Sequence, residues 1–206
     1  MNNVEIAEIV GRHIADGYLV KNPSRNGYRI VLTEVLPILQ DQLKLIERNF
    51  DIKSSRIKPR SNVYDLIVYS KSLYRFLRET VRIPQNKRSS KNLITEWMKM
   101  LNNEARKSMV RGVMDCDGTL YYDKINQLWV IELNIIHRDV ITFVREVLSH
   151  NSIQFITFRR AKKKPPRKTS YVLKIQGKGN ITHYLKIIGS KKFKPRFAAG
   201  SKGAPR

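Results

Sequence analysis

Disulfides are out of reach for this chain of 206 residues, because it holds one cysteine, Cys116. A lone thiol also predicts no zinc site built on several thiolates, and it suits a reducing compartment. Long apolar runs are missing as well. No stretch approaches the roughly 18 consecutive apolar residues of a membrane-spanning helix. No signal or transit segment is visible, since the N-terminus begins with an acidic amphipathic stretch. The expected location is therefore cytoplasmic, with no membrane partner. The four histidines, His13, His137, His150 and His183, show no mutual spacing that argues for zinc. The tyrosines at 64, 69, 74, 121, 122, 171 and 184 form no signature pair for stacking on single-stranded RNA and read as core or rim residues. Acid is scarce: 17 Asp and Glu stand against 40 Lys and Arg, a net charge of +23. That is far more than solubility needs, and it is the electrostatic footprint of a protein whose partner is a polyanion. The basic residues are spread through the folded-looking region rather than gathered in one tail, which favours nucleic acid over a membrane surface.

What the chain does have is a repeated helix. Ala7-Glu8-Ile9-Val10-Gly11-Arg12-His13-Ile14-Ala15-Asp16-Gly17 is echoed by Ser108-Met109-Val110-Arg111-Gly112-Val113-Met114-Asp115-Cys116-Asp117-Gly118. The pairs Ala7/Ser108, Gly11/Gly112, Ala15/Cys116 and Asp16/Asp117 are all offset by 101 residues. Residues four apart share one helix face, so each run carries a stripe of small side chains along which two backbones can approach. Glycine after the last helical residue is a common stop. Packing along the stripes would bring Asp16 and Asp117 side by side. A carboxylate at a helix C-terminus is electrostatically unfavourable, and two together repel. A local rule broken twice at matched positions predicts a compensating cation.

These runs resemble the twin motifs of the LAGLIDADG homing endonucleases in their single-chain, two-motif form. Motif one is Ile9–Gly17 and motif two is Val110–Gly118. The second matches better. In the first, Arg12 and His13 occupy positions where apolar residues are usual, and Ile14 replaces the earlier of two aspartates. The resemblance implies that Asp16 and Asp117 bind metal, that the backbone carbonyls of Ala15 and Cys116 also contact it, and that a basic residue stands near each site. By position those residues are Lys87 and Lys194, with Lys91 and Lys192 as rivals.

Elsewhere the patterning predicts an α+β fold of two pseudo-symmetric αββαββα units joined at a two-helix interface, each with a four-stranded antiparallel sheet. The expected divisions are a first unit over 1–81, a linker over 82–103, a second unit over 104–190 and a basic tail over 191–206. In the first unit, β-prone runs flank Asn22–Gly27 and Pro59–Asn62 as hairpin turns. Val35–Asn49 has helical spacing, with Pro37 in its first turn, and Ser72 is the expected cap of the next helix. Leu93–Leu101 reads as a helix leading into motif two. In the second unit, Ile125-Asn126-Gln127 is a hairpin turn, Ala161–Thr169 a long basic loop, and 137–148 and 181–188 are helices.

Strands with basic side chains on one face can enter the major groove. Candidates are Arg25, Arg29, Arg56, Lys58 and Arg60 in the first unit, and Lys124, Arg159, Arg160, Arg167, Lys168 and Lys174 in the second. Most would touch phosphate, and some could read guanine. Because the two sets differ, one chain acting as a monomer would read an asymmetric site. Hydrolysis of a phosphodiester needs an activated water and a stabilised leaving oxygen, which metal ions held by carboxylates provide. Oxygen ligands favour Mg²⁺, with Mn²⁺ as its substitute, and Asp16 and Asp117 fit that role; Glu34 and Asn134, at strand-to-helix turns, would position water. The resemblance implies double-strand DNA cleavage in intron mobility. Two alternatives stay open: an RNA maturase that binds its intron without cutting DNA, and a transcription regulator of the same fold. Neither has a use for the paired carboxylates.

Overall fold

The computed structural model of the chain describes residues 3–22, 27–87, 90–160 and 169–193. It divides into two compact units, Met1–Cys116 and Asp117–Arg206. Both are built on a four-stranded antiparallel sheet backed by helices, and the fold is α+β.

The first unit opens with helix α1 (Asn3–Asp16), which stops where the sequence places Asp-Gly and passes directly into strand β1 (Gly17–Asn22). Strand β2 (Gly27–Glu34), helix α2 (Leu36–Asn49), and strands β3 (Ser54–Arg60) and β4 (Val63–Tyr69) follow. The sheet order is β1-β2-β4-β3. In α2, Val35 is the extended N-cap and Pro37 lies in the first turn, where a missing N–H costs nothing. The apolar side chains of α2, among them Ile38, Leu39, Leu45 and Ile46, are buried.

Three local expectations are corrected. Pro59 belongs to β3 rather than to a turn, and the hairpin is closed by Ser61 and Asn62. β3 is an edge strand, where proline is tolerated because no neighbour needs its N–H. The cap of helix α3 (Lys71–Arg75) is Ser70, whose Oγ accepts from the Leu73 N–H at 3.1 Å, and not Ser72. Ser70 holds the extended conformation a cap requires, because it leaves β4 directly. Helix α3 then widens into one π-helical turn, Phe76–Thr80. Lastly, the helix expected over 93–101 shrinks to α4 (Glu96–Lys99). Ile83, Leu93 and Met98 are nonetheless buried, and Trp97 meets Phe76 edge-on at 5.6 Å. The stretch expected as a linker therefore packs within the first unit.

Helix α5 (Asn103–Asp117) carries the second motif, and its last residue begins the second unit. That unit continues with strands β5 (Gly118–Asp123) and β6 (Leu128–Ile135), helix α6 (Arg138–His150), strands β7 (Ile156–Arg160) and β8 (Ser170–Gln176), and helix α7 (Lys178–Ile187). Its sheet order, β5-β6-β8-β7, repeats that of the first unit. Of the expected tail, Lys191–Phe193 are described and Phe193 is buried.

The small-residue stripes work as backbone contacts. A Cβ placed on Gly11 would lie 2.1 Å from the Met109 carbonyl oxygen, and one on Gly112 would lie 2.6 Å from the Glu8 carbonyl oxygen. Both obstacles are backbone atoms, so neither can rotate aside. Gly11→Ala and Gly112→Ala should each cost roughly 1–3 kcal/mol, the usual range for overpacking a tight interior. Gly179→Ala, in α7 with nothing within 4 Å of the new methyl, should be neutral or mildly stabilising. Denaturant midpoints of the three variants check this.

Candidate metal centre and nucleic-acid interface

At the closing turn of α1, ligand-type atoms from three elements converge. The Asp16 and Glu34 carboxylates and the Cys116 Sγ all lie within 4.8 Å of one another. Asp16 ends α1 and is half-buried, whereas Glu34, ending β2, and Cys116, in the last turn of α5, are buried. Glu34 is held by accepting from the Val35 N–H at 3.0 Å. Two carboxylates at this separation suit a hard divalent cation, and the thiol adds a softer donor. The donor set fits a divalent metal. The sequence assigned Glu34 to water and Cys116 to a backbone role; the structure brings both side chains to Asp16. A hint lay in Glu34 standing at the strand-to-helix turn.

Lys87 stands beside this cluster. Its ammonium donates to the carbonyls of His13 at 2.7 Å, Ile14 at 2.8 Å and Ala15 at 3.1 Å. These are carbonyls of the last turn of α1, where the helix dipole concentrates negative charge. Part of the compensating cation expected beside Asp16 is thus a lysine from later in the same unit, 71 residues on. Lys91 is exposed, Lys192 is half-buried, and Lys194 lies outside the described residues. Asp117, half-buried, closes α5 as Asp16 closes α1.

The two departures in motif one have structural explanations. Arg12 is fully buried. It donates to Asp41 at 2.7 Å, to the Ile38 carbonyl at 3.2 Å, to Gln42 at 3.4 Å and, in close contact, to Glu8. Burial opposes its charge, but Glu8 and Asp41 more than offset this and hold the guanidinium charged. Glu8 also accepts from Ser108 at 3.3 Å and from Arg111, whose Nε lies 3.0 Å away. Two arginines therefore face two acids, tying α1 to α2 and α5. The sequence signal was the four-residue spacing of Glu8 and Arg12.

His13 is buried in the same helix, and its ring occupies the space over Gly17, where a Cβ would lie 2.2 Å from Nδ1. It faces an internal space shared with Ile9, Leu32, Gln42 and Leu66. Its Nε2 has no hydrogen-bond partner among the described residues. Burial, and then the nearby Lys87 charge, push its pKa well below 6.5.

The basic candidates divide by sheet face. In the first unit, Ile30, Leu32, Leu66 and Val68 point to the helices. By alternation and register, Arg29, Arg56, Lys58 and Arg60 share the opposite face with Tyr18, Asp65 and Tyr69. Arg56 lies over the Tyr69 ring at 5.9 Å and Arg60 reaches Asp65 at 3.4 Å, while Lys58 is exposed. In the second unit, Glu132 organises the corresponding face. It accepts from Tyr121 at 3.0 Å and pairs with Arg160 at 3.2 Å and Lys174 at 3.3 Å. Hydrogen bonding to Tyr121 and then to Glu132, against some desolvation, raises the Lys174 pKa. Asn134 is exposed on that same face. Arg159 pairs with Tyr171 in register and so points to the other face from Arg160. Lys124 is exposed in the β5–β6 turn, whose backbone N–H groups at Ile125 and Asn126 are accepted by Asp123. Arg25, Arg167 and Lys168 lie outside the described residues.

A duplicated helix–sheet unit, with a glycine-striped helix ending in an acid and a sheet open on its basic face, defines a two-repeat α+β class. The chain belongs to the LAGLIDADG-like domain family, whose model matches residues 3–80 and 104–189. No curated protein sequence matches it. Similar solved structures include the homing endonuclease I-DmoI in complex with DNA and Mn, at 20% identity and a TM-score of 0.64, covering 93% of this chain and 100% of that one. I-DmoI in complex with DNA and Ca matches at 20% identity and a TM-score of 0.64, over 97% and 98% of the two chains. The N-terminal LAGLIDADG domain of DUF199/WhiA matches at 14% identity and a TM-score of 0.60, over 96% and 87%. At these identities the likeness is one of fold. No described helix is long and apolar enough to cross a membrane.

A pH dependence follows from His13. Because its folded pKa is depressed, the unfolded chain takes up this proton more readily. Above 6.5 its titration leaves stability unchanged; as pH falls below 6.5 the native state loses stability, until the folded pKa is reached. Thermal midpoints should therefore fall on acidification, and the His13→Leu variant should lose less over the same interval.

Proposed function

We propose that the chain is a divalent-metal-dependent, site-specific double-strand DNA endonuclease of the homing type, intron-encoded, working as a monomer in the cytoplasm on a long asymmetric target. The observation that carries this reading is the gathering of Asp16 and Glu34 at the end of a motif helix, in a LAGLIDADG-like fold similar to that of a homing endonuclease solved in complex with DNA and Mn. A bound Mg²⁺, with Mn²⁺ as its substitute, would activate the attacking water and stabilise the leaving oxygen.

The chain's own residues then divide the work. Asp16 and Asp117 hold the cation in their respective motifs, with the carbonyls of Ala15 and Cys116 beside them. Glu34 either joins Asp16 as a ligand or orients water. Lys87 fixes the closing turn of α1 and balances the charge collected there, which makes it a positioning group for Asp16. By sequence position, Lys194 is the counterpart of Lys87 for the second motif. Arg29, Arg56, Lys58 and Arg60 in one unit, and Arg160, Lys174 and Lys124 in the other, meet the DNA. The paired aromatic and carboxylate partners of Arg56, Arg60, Arg160 and Lys174 hold those cations in fixed directions before binding, which lowers the ordering cost of recognition.

Selection of cleaved sites from a random library should yield one asymmetric target. On linear plasmid carrying it, Asp16→Asn or Asp117→Asn should slow cleavage by about three orders of magnitude, the several kcal/mol that metal-assisted charge stabilisation supplies. Retention of DNA cleavage by both variants would overturn the mechanism. Absence of cleavage by the parent, with intron splicing assisted equally by parent and variants, would instead favour the maturase reading. Separately, Lys58→Ala should reduce the slope of log affinity against log salt by about 1 without changing sequence preference.

A further inference from the structure

We infer that the site closing α1 is a mixed oxygen–sulfur centre, in which the Cys116 thiolate joins Asp16 and Glu34, and that it takes Zn²⁺ or Cd²⁺ more tightly than Mg²⁺. This rests on the proposal above only in treating Asp16 as a metal ligand. Three donor atoms reach one point from the ends of α1 and β2 and the last turn of α5, all within 4.8 Å of one another. Ligand atoms around a four-coordinate zinc lie roughly 3–4 Å apart, so small side-chain movements close this set on one ion. Glu34 and Cys116 are 7% and 5% exposed, while Asp16 at the rim is half-buried.

The sulfur decides which cation is preferred. Mg²⁺ binds oxygen and is reluctant to shed water. Thiolate is a soft ligand that favours zinc and heavier relatives. On binding, the metal–sulfur bond replaces the S–H bond and the proton passes to buffer. Zn²⁺ held in this way would keep Mg²⁺ out and silence a nuclease that depends on it.

Cadmium titration of the full-length protein, followed by the ultraviolet thiolate-to-cadmium band, tests the site without using DNA. The chain has one cysteine, so any such band reports Cys116. The band should saturate at one Cd²⁺ per chain and vanish in both Cys116→Ser and Cys116→Ala. In Asp16→Asn and Glu34→Gln it should persist with affinity lowered by about tenfold or more, at least what loss of a supporting group costs. Cd²⁺ should also raise the thermal midpoint of the parent but not of Cys116→Ala, and metal-free midpoints identify any variant that fails to fold. A reading that needs no variant is competition: about a hundredfold excess of Mg²⁺ should leave the parent's band in place. No band in the parent, a band displaced by equimolar Mg²⁺, or unchanged affinity in both carboxylate variants would overturn the inference. A saturable band in a protein that cuts no DNA would remove the nuclease reading and leave the site standing. Mg²⁺-dependent cleavage without the band would do the reverse.

Discussion

Two helix backbones in direct contact constrain nearly everything else in the first unit. At Gly11 and Gly112 there is no room for even a methyl group between α1 and α5. Such a seam cannot slide, because the obstacles on each side are carbonyls rather than adaptable side chains. Fixing the seam fixes where each helix ends. It sets the last turn of α1 beside the last turn of α5, so that Asp16 and Cys116, distant in sequence, share one neighbourhood with Glu34. The convergence of donor atoms is a result of helix packing before it is a matter of metal chemistry.

Polar groups inside the unit reinforce this geometry. Hydrophobic packing is tolerant of small shifts, whereas a buried guanidinium is not. The two terminal nitrogens of Arg12 donate to Glu8, Asp41, Gln42 and the Ile38 carbonyl, and Glu8 in turn accepts from Arg111. Each ion here would be costly alone in the interior, and the set is tolerable because two positive groups meet two negative ones. Lys87 solves a related problem at the other end of α1. Its ammonium covers three carbonyls that the helix cannot satisfy itself, at the place where Asp16 adds further negative charge.

Much of this was legible in the sequence, and the reasons are physical. The constant offset between small residues announced a duplicated helix, and glycine at 11 and 112 announced its close approach. Alternation in β2 separated Arg29 and Val31 from Tyr28, Ile30 and Leu32 onto opposite faces. What escaped was information carried by the third dimension. Arg12 and His13 looked like blemishes in an apolar motif, because Asp41 and Gln42, which receive Arg12, come from another helix. Glu34 could be placed at a turn but not aimed. Ser72 was preferred to Ser70 as a cap because the end of β4 could not be located to the residue. Pro59 read as a turn because nothing local marks β3 as an edge strand. The faces of Arg159 and Arg160 depend on the register of β7, which sequence alone leaves open.

The buried ions also make the duplication one-way. At the positions matching Glu8 and Arg12, α5 carries Met109 and Val113, while Arg111 answers to Val10 in α1. Two copies of α5 laid along the same seam would set Arg111 against Met109, with no acid at that position to receive it. The repeats are thus lock and key at their contact rather than two equal halves: descent from a common unit is still visible in the glycines, but the partners have lost the means to trade places.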